Sequence, residues 1–242
     1  MVSIKRPKIK ALTYIYLMKH YAIIVAGGSG SRMKSSIPKQ YLELNGLPIL
    51  MHTVNAFFAT DSNIQIILVL PPADAAFWKE LSDKHHFTRP LLIAAGGKSR
   101  YESVRNGLAE IKEEDAIVAI HDGVRPLVSP EIIQNSFNTA EEYGNAVAVV
   151  QLKDSIRIVE GEESKYMDRT LFRLVQTPQT FRYKQLKDAY DQQYNPELFT
   201  DDASVVEANG GSIKLIEGSY KNIKITTTED LKIAALFLQM QH

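Results

Sequence analysis

The sequence predicts an α/β protein built on a doubly wound, mostly parallel, Rossmann-like sheet with a protruding β-arm, and three observations carry that prediction. From Tyr21 onward, short Val- and Ile-rich runs alternate with longer stretches of helical periodicity, the pattern of strands covered on both faces. A glycine-rich turn follows the first run, where open parallel sheets hold phosphates. Past Val150 the rhythm breaks into exposed alternation, which suits strands that leave the domain.

Taken in order, the strands are expected at Tyr21 to Ala26, Ile64 to Leu70, Leu91 to Ala94, Ala116 to Ile120 and Ala146 to Val150. Between them, Ile49 to Ala59, Ala73 to Lys84, Tyr101 to Lys112 and Pro130 to Tyr143 have the length and apolar spacing of crossover helices. Ser129-Pro130-Glu131 marks a helix start, because serine caps the open N–H groups and proline fits the first helical position. Ser155 to Val159 reads as an exposed strand, Gly161-Glu162-Glu163 as a turn, and Lys165 to Arg173 as polar and irregular. Together they form an arm at about 152–177, and an isolated hairpin of this kind usually packs on something, here a second subunit. The chain returns with helices near Tyr183 to Tyr190 and Asp201 to Asn209, a strand at Ile213 to Glu217, and a last helix from Thr228.

The 242 residues, 45% hydrophobic and 23% charged, exclude disorder and collagen-like repeats. Twenty-eight basic side chains balance twenty-eight acidic ones, so the chain lacks the positive field that polymeric nucleic acid requires. Cysteine is absent, which excludes thiolate chemistry and suits a cytoplasmic setting. No apolar run approaches the roughly 20 residues that span a bilayer. Residues 1–19, with Lys5, Arg6, Lys8 and Lys10 ahead of a short mixed stretch, are expected to be an extension outside the fold, with Met18 a possible natural start and 20–242 a single domain.

The most informative segment is Ala26-Gly27-Gly28-Ser29-Gly30-Ser31-Arg32-Met33, followed by Pro38-Lys39-Gln40. Glycines let the backbone approach a ligand and aim N–H groups at an anion, while Arg32 and Lys39 add charge where a polyphosphate would lie. Glycine after a strand also makes an ordinary tight turn. A dinucleotide fingerprint begun at Gly28 needs a small residue where Met33 stands, and a Walker loop needs glycine there too. Both fail at the same position.

Asp122 follows an apolar strand at the carboxyl edge, and a carboxylate beside a triphosphate makes sense if Mg²⁺ bridges them. The alternative is a turn cap paired with Arg125. His121 is read as a satisfied structural hydrogen-bonder. Gly96-Gly97, with Arg100 and Ser103 on the opening turn of a helix, offers donors to a nucleobase or ribose, with helix capping the competing account. Lys224 sits between Ile223 and Ile225 on an expected strand, an arrangement that also fits an idle solvent-facing lysine.

Together with Ile37-Pro38-Lys39-Gln40-Tyr41, the glycine loop resembles that of the cytidylyltransferases of the nucleotide-sugar pyrophosphorylase type, among them the 2-C-methyl-D-erythritol 4-phosphate cytidylyltransferases of isoprenoid synthesis. Further matches follow in order: Gly96-Gly97-x-x-Arg100-x-x-Ser103-Val104, His121-Asp122-Gly123-Val124-Arg125-Pro126, Lys153-Asp154-Ser155, Asp168-Arg169, Gln176-Thr177-Pro178-Gln179, Thr200-Asp201-Asp202-Ala203-Ser204 and Asn222-Ile223-Lys224-Ile225-Thr226. The resemblance implies transfer of CMP from CTP to a polyol phosphate with Mg²⁺, in a cytoplasmic homodimer whose arms complete each other's sites. It implies catalytic roles for Arg32, Lys39, Arg169 and Lys224. Substrate binding falls to Ala26, Gly27, Gly28, Ser29, Gly30, Ser31, Gly97, Arg100, Ser103, Asp122, Arg125, Asp168, Thr177 and Thr200, with Asp122 also the metal ligand. Ribitol 5-phosphate is the alternative substrate, favoured less because Asp168-Arg169 and Asp201-Asp202-Ala203-Ser204 resemble the erythritol enzymes. A non-catalytic CTP sensor is the alternative of another class, disfavoured because it need not keep cations for a second phosphate.

Overall fold

The computed structural model describes residues 18–27, 37–192 and 194–240. The expectations for residues 1–17 and for Gly28, Ser29, Gly30, Ser31 and Arg32 lie outside the described residues.

A seven-stranded sheet forms from β1 (Lys19–Val25), β4 (Gln65–Leu70), β5 (Leu91–Ala95), β6 (Ala116–Asp122), β7 (Asn145–Gln151), β10 (Arg173–Arg182) and β11 (Leu215–Glu217). Two short strands, β2 (Glu43–Leu44) and β3 (Leu47–Pro48), pair separately, as do β8 (Ile156–Glu160) and β9 (Glu163–Met167) of the arm. The order across the large sheet is β11-β7-β10-β6-β1-β4-β5. Its pairings are parallel except those of β10, which runs antiparallel to both β6 and β7.

The helices are α1 (Ile49–Thr60), α2 (Ala75–Lys84), α3 (Arg100–Leu108), α4 (Pro130–Tyr143), α5 (Tyr183–Tyr190), α6 (Asp202–Ala208) and α7 (Thr228–Gln239). They cover both faces of the sheet because successive strand residues point to opposite sides. On β1, Ala22 and Ile24 join one buried cluster with Phe57 of α1 and Phe137 of α4, while Tyr21 and Ile23 join another with Val104 of α3 and Leu186 of α5. Helix α4 starts as its sequence predicts, with the N–H of Ile132 donating to Ser129 Oγ and Pro130 in the first turn. It ends at Gly144, whose φ of +95° is the left-handed conformation that glycine adopts without penalty.

Three expectations need correction. Arg173 to Val175 belong to β10 and pair with β7, so they are part of the large sheet and the arm ends before them. Lys165 to Arg173 is not irregular: β9 occupies its first part and a 3-10 turn spans Arg169–Leu171. Ile223 to Ile225 is not a strand; it is a loop, tied to the segment after β6 by the N–H of Ile225 donating to Val124 O at 2.9 Å. The insertion of β10 between β7 and β6 is also new, since Pro178 argues against a central strand. The sheet accepts it because the register with β7 shifts between Val175 and Gln179.

Candidate active site

β1 and β6 lie side by side with Val25 opposite Asp122, so the segments that leave both strands emerge at one carboxyl edge. From β1 the chain moves to β4 and β5 on one side, then returns to β6 on the other. A crevice opens where the order reverses. Here lies a cleft of about 270 Å³ whose lining includes Gly27, Lys39, Gly97, Arg100, Asp122 and Lys224. A second cleft of about 240 Å³ is lined by Arg125, Thr177 and Thr200 and again by Arg100, Asp122 and Lys224. Those last three residues form a wall common to both.

Local structure explains how each wall residue is held. Buried Gln40 donates from Nε2 to Ala26 O at 2.9 Å, which fixes where the glycine turn leaves β1. Among the described residues a Cβ at Gly27 would meet only Ser103 Oγ, at 3.9 Å. Gly97 is different: a Cβ there would come within 2.3 Å of Glu102 Cβ, and only glycine fits. Its N–H donates to Ser103 Oγ at 3.0 Å, and that hydroxyl donates to Ser99 O at 2.8 Å. Ser99 caps α3 by accepting from the N–H of Glu102. The Gly97–Ser103 pair is thus satisfied inside its own loop, and its polar groups shape the cleft edge.

Lys224 reaches the wall because its segment is anchored on both sides. Asn222 donates to Thr177 O at 2.8 Å and accepts at its backbone oxygen from Arg125 Nη1 at 2.8 Å. Lys224 Nζ then lies 3.1 Å from Asp122 Oδ2, the same oxygen that accepts from Arg125 Nε at 3.1 Å. Arg100 Nε stands 3.7 Å from Oδ1. Burial opposes ionisation of Asp122, but the charges of Arg100, Lys224 and Arg125 outweigh it and hold the carboxyl well below the usual carboxylate range. Asp122 therefore pairs with Arg125, as the alternative reading had it, and with two further cations.

Beneath the wall, buried His121 offers Nε2 to Arg125 O at 3.2 Å and meets Thr177 Oγ1 through Nδ1 at 3.0 Å. Thr177 Oγ1 in turn accepts from the N–H of Asp122 at 3.1 Å. The neutral ring with hydrogen on Nε2 satisfies both contacts. Burial pushes the imidazole down to about 4, in keeping with a structural rather than a chemical histidine.

The structure brings Ala26, Gly27, Lys39, Gly97, Arg100, Ser103, Asp122 and Lys224 to the first cleft, and Arg125, Thr177 and Thr200 to the second. It does not bring Asp168 or Arg169 to either. Both sit on the exposed arm, where Asp168 accepts from the N–H and hydroxyl of Thr170 and Arg169 donates to Lys153 O. Among the described residues no group of three His, Asp or Glu side chains could hold a metal by itself.

Sequence reasoning missed Asp202 and Tyr190. Asp202 is fully buried and accepts from Arg100 Nη1 at 2.9 Å and Nη2 at 2.6 Å, and from Tyr190 Oη at 2.7 Å. Desolvation pushes the Tyr190 hydroxyl well above its ordinary range, so it stays a donor. Asp202 stands inside a quoted motif, but its partner is 102 residues away, and Tyr190 carries no local signal at all.

The profile described as 2-C-methyl-D-erythritol 4-phosphate cytidylyltransferase matches residues 20–240. The chain is 48% identical over 221 residues to the enzyme of that name from Bacteroides thetaiotaomicron, covering 91% of this chain and 100% of the relative. It is 41% identical to the one from Syntrophus aciditrophicus over 227 residues, 92% of this chain and 97% of the relative. Among solved structures, the 4-diphosphocytidyl-2C-methyl-D-erythritol synthase of Anaerococcus prevotii superposes with a TM-score of 0.78 at 28% identity, covering 92% of this chain and 96% of that one. The Francisella tularensis 2-C-methyl-D-erythritol 4-phosphate cytidylyltransferase gives 0.75 at 32% identity, with 90% and 99% covered.

Proposed function

Since the chain belongs to the 2-C-methyl-D-erythritol 4-phosphate cytidylyltransferase family, we propose that its two joined clefts seat CTP and the polyol phosphate on either side of the Arg100–Asp122–Lys224 wall. The protein transfers CMP from CTP to 2-C-methyl-D-erythritol 4-phosphate, giving 4-diphosphocytidyl-2-C-methyl-D-erythritol and pyrophosphate, in the non-mevalonate route to isoprenoids. The shared wall carries the assignment, because this reaction needs two anions delivered to one point.

An oxygen of the polyol phosphate attacks the α-phosphorus of CTP. The bond from that phosphorus to the bridging oxygen breaks, and pyrophosphate leaves with the electron pair. No covalent enzyme intermediate is required. The obstacle is repulsion between a phosphate dianion and a triphosphate, which cations in fixed geometry reduce. Lys39 grips the triphosphate in the first cleft, and by its place in the motif Arg32 shares that role. Lys224 faces the junction, where it serves the attacking phosphate. Thr177 orients Asp122 through its backbone, and Thr200 borders the polyol cleft. Gly97, Arg100 and Ser103 shape the nucleoside end. Arg169 and Asp168 act from the arm on the site of a second subunit in a cytoplasmic homodimer.

A divalent cation fits this donor set. Mg²⁺ commonly takes one or two carboxylates with substrate phosphates and water, and Asp122 Oδ1 accepts no hydrogen bond among the described residues. Bound there with CTP, Mg²⁺ would neutralise charge on the triphosphate.

The test is pyrophosphate release from CTP with 2-C-methyl-D-erythritol 4-phosphate and, separately, with ribitol 5-phosphate. Release with the first and little with the second is expected. CTP binding without release from either would instead indicate a sensor.

A further inference from the structure

The carboxylate of Asp122 is treated unequally by its neighbours. Oδ2 has Lys224 Nζ and Arg125 Nε, each at 3.1 Å. Among the described residues Oδ1 accepts no hydrogen bond, and Arg100 Nε stands 3.7 Å from it, beyond hydrogen-bond distance. Arg100 is held back because both its terminal nitrogens are engaged with Asp202 in a two-pronged pair. Asp202 cannot follow it, since Tyr190 donates to Oδ1 and the N–H groups of Asp202 and Ala203 donate to Gln179 Oε1 at 3.0 and 2.8 Å. Tyr190 is itself stacked on Tyr101, with ring centroids 4.6 Å apart.

We propose that Asp202 is a positioning residue: by retaining the terminal nitrogens of Arg100 it keeps that guanidinium outside hydrogen-bond distance of Asp122 Oδ1 and leaves this oxygen to the divalent cation that arrives with CTP. The inference rests on the reading that CTP and Mg²⁺ meet at Asp122. Its physical basis is that a buried guanidinium deprived of its carboxylate is strongly unfavourable and turns to the next one within reach. With Asp202 neutral, that carboxylate is Asp122. Arg100 would then close from 3.7 Å to hydrogen-bond distance and cover Oδ1, leaving neither carboxylate oxygen open to a further positive charge.

The experiment measures CTP binding by calorimetry, without polyol phosphate, in Mg²⁺ and in chelator. In the unaltered protein Mg²⁺ should tighten CTP binding. Asp202→Asn should shrink that Mg²⁺ effect by about tenfold, the lower end for groups that support a metal ligand from behind. The double variant Asp202→Asn, Arg100→Gln should restore most of it, because nothing remains to cover Oδ1, whereas a merely structural role predicts no such rescue. Should Asp202→Asn not fold, the double variant still decides, as it buries no unpaired charge: a Mg²⁺ effect near that of the unaltered protein supports the proposal and its loss overturns it. An undiminished Mg²⁺ effect in Asp202→Asn overturns the proposal while leaving the assigned reaction intact. CTP binding that ignores Mg²⁺ in the unaltered protein would overturn both.

Discussion

The cleft wall and the arm carry charged residues that the motifs assign to one reaction, yet they are held in opposite ways. Asp122, Arg100, Asp202 and Lys224 come from separate segments and meet in a chain of ion pairs around two buried carboxylates. Removing one partner from such a cluster costs about 3 to 5 kcal/mol, because the remaining charge stays buried without compensation. On the arm, Asp168 and Arg169 are exposed, and their side chains bond to Thr170 and Lys153. Around them Val159, Tyr166 and Leu171 are each at least two-thirds exposed. The wall is thus organised within one chain, whereas the arm has shape but little burial of its own. A residue on it gains fixed geometry for catalysis only from a surface that covers it.

The contrast can be broken most directly at the wall. Lys224→Ala and Lys39→Ala are each expected to lower kcat by about 10² or more, the scale of removing one electrostatic stabiliser. Steady-state pyrophosphate release, with thermal melts to exclude unfolding, checks this. Turnover near that of the unaltered protein in both variants would take the two lysines of the first cleft, Lys224 of the wall among them, out of the mechanism.

Arm sharing is sharpened by complementation. Arg169→Ala and Lys39→Ala homodimers should both be nearly inactive, while mixed dimers regain activity because one of their two sites keeps both residues. Verified mixed dimers as inactive as their parents would confine Arg169 to its own chain.

The smallest effect belongs to the support beneath the wall. A folded pKa of about 4 for His121, below the roughly 6.5 of an unfolded histidine, means that the unfolded chain binds the proton more readily. Stability from this group is full above pH 6.5 and falls as pH drops towards 4, by up to about 3 kcal/mol. Denaturant unfolding at pH 7 and pH 4 should therefore show a smaller pH loss in His121→Gln. An equal loss in both proteins would assign the acid sensitivity elsewhere.

Much of the fold was legible because its signals are local. The Val- and Ile-rich runs gave β1, β4, β5, β6 and β7, and Ser129-Pro130 gave the start of α4. The glycine turn and Asp122 could be placed at one edge before their register was known, since both follow strands of a parallel sheet. Long-range facts were harder to read. Pro178 hid β10, because the register shift that accommodates it depends on β7. Ile223-Lys224-Ile225 looked like a strand by alternation, while its conformation follows from Asn222 and Ile225 bonding to the segments after β10's entry and β6. Arg100 could be placed at the cleft from its motif, but its pairing with Asp202 could not, because that carboxylate is remote in the chain.

By itself, then, the sequence determined the class of sheet and which segments leave it at its carboxyl edge, because periodicity and glycine act over a few residues. Only the tertiary structure decided which charges pair: that Asp202 retains Arg100, that Lys224 and Arg125 share one oxygen of Asp122, and that Arg169 stays outside both clefts. The reason is that a buried ion pair is chosen by distance and desolvation in three dimensions, and neither is written in the spacing of residues along a chain.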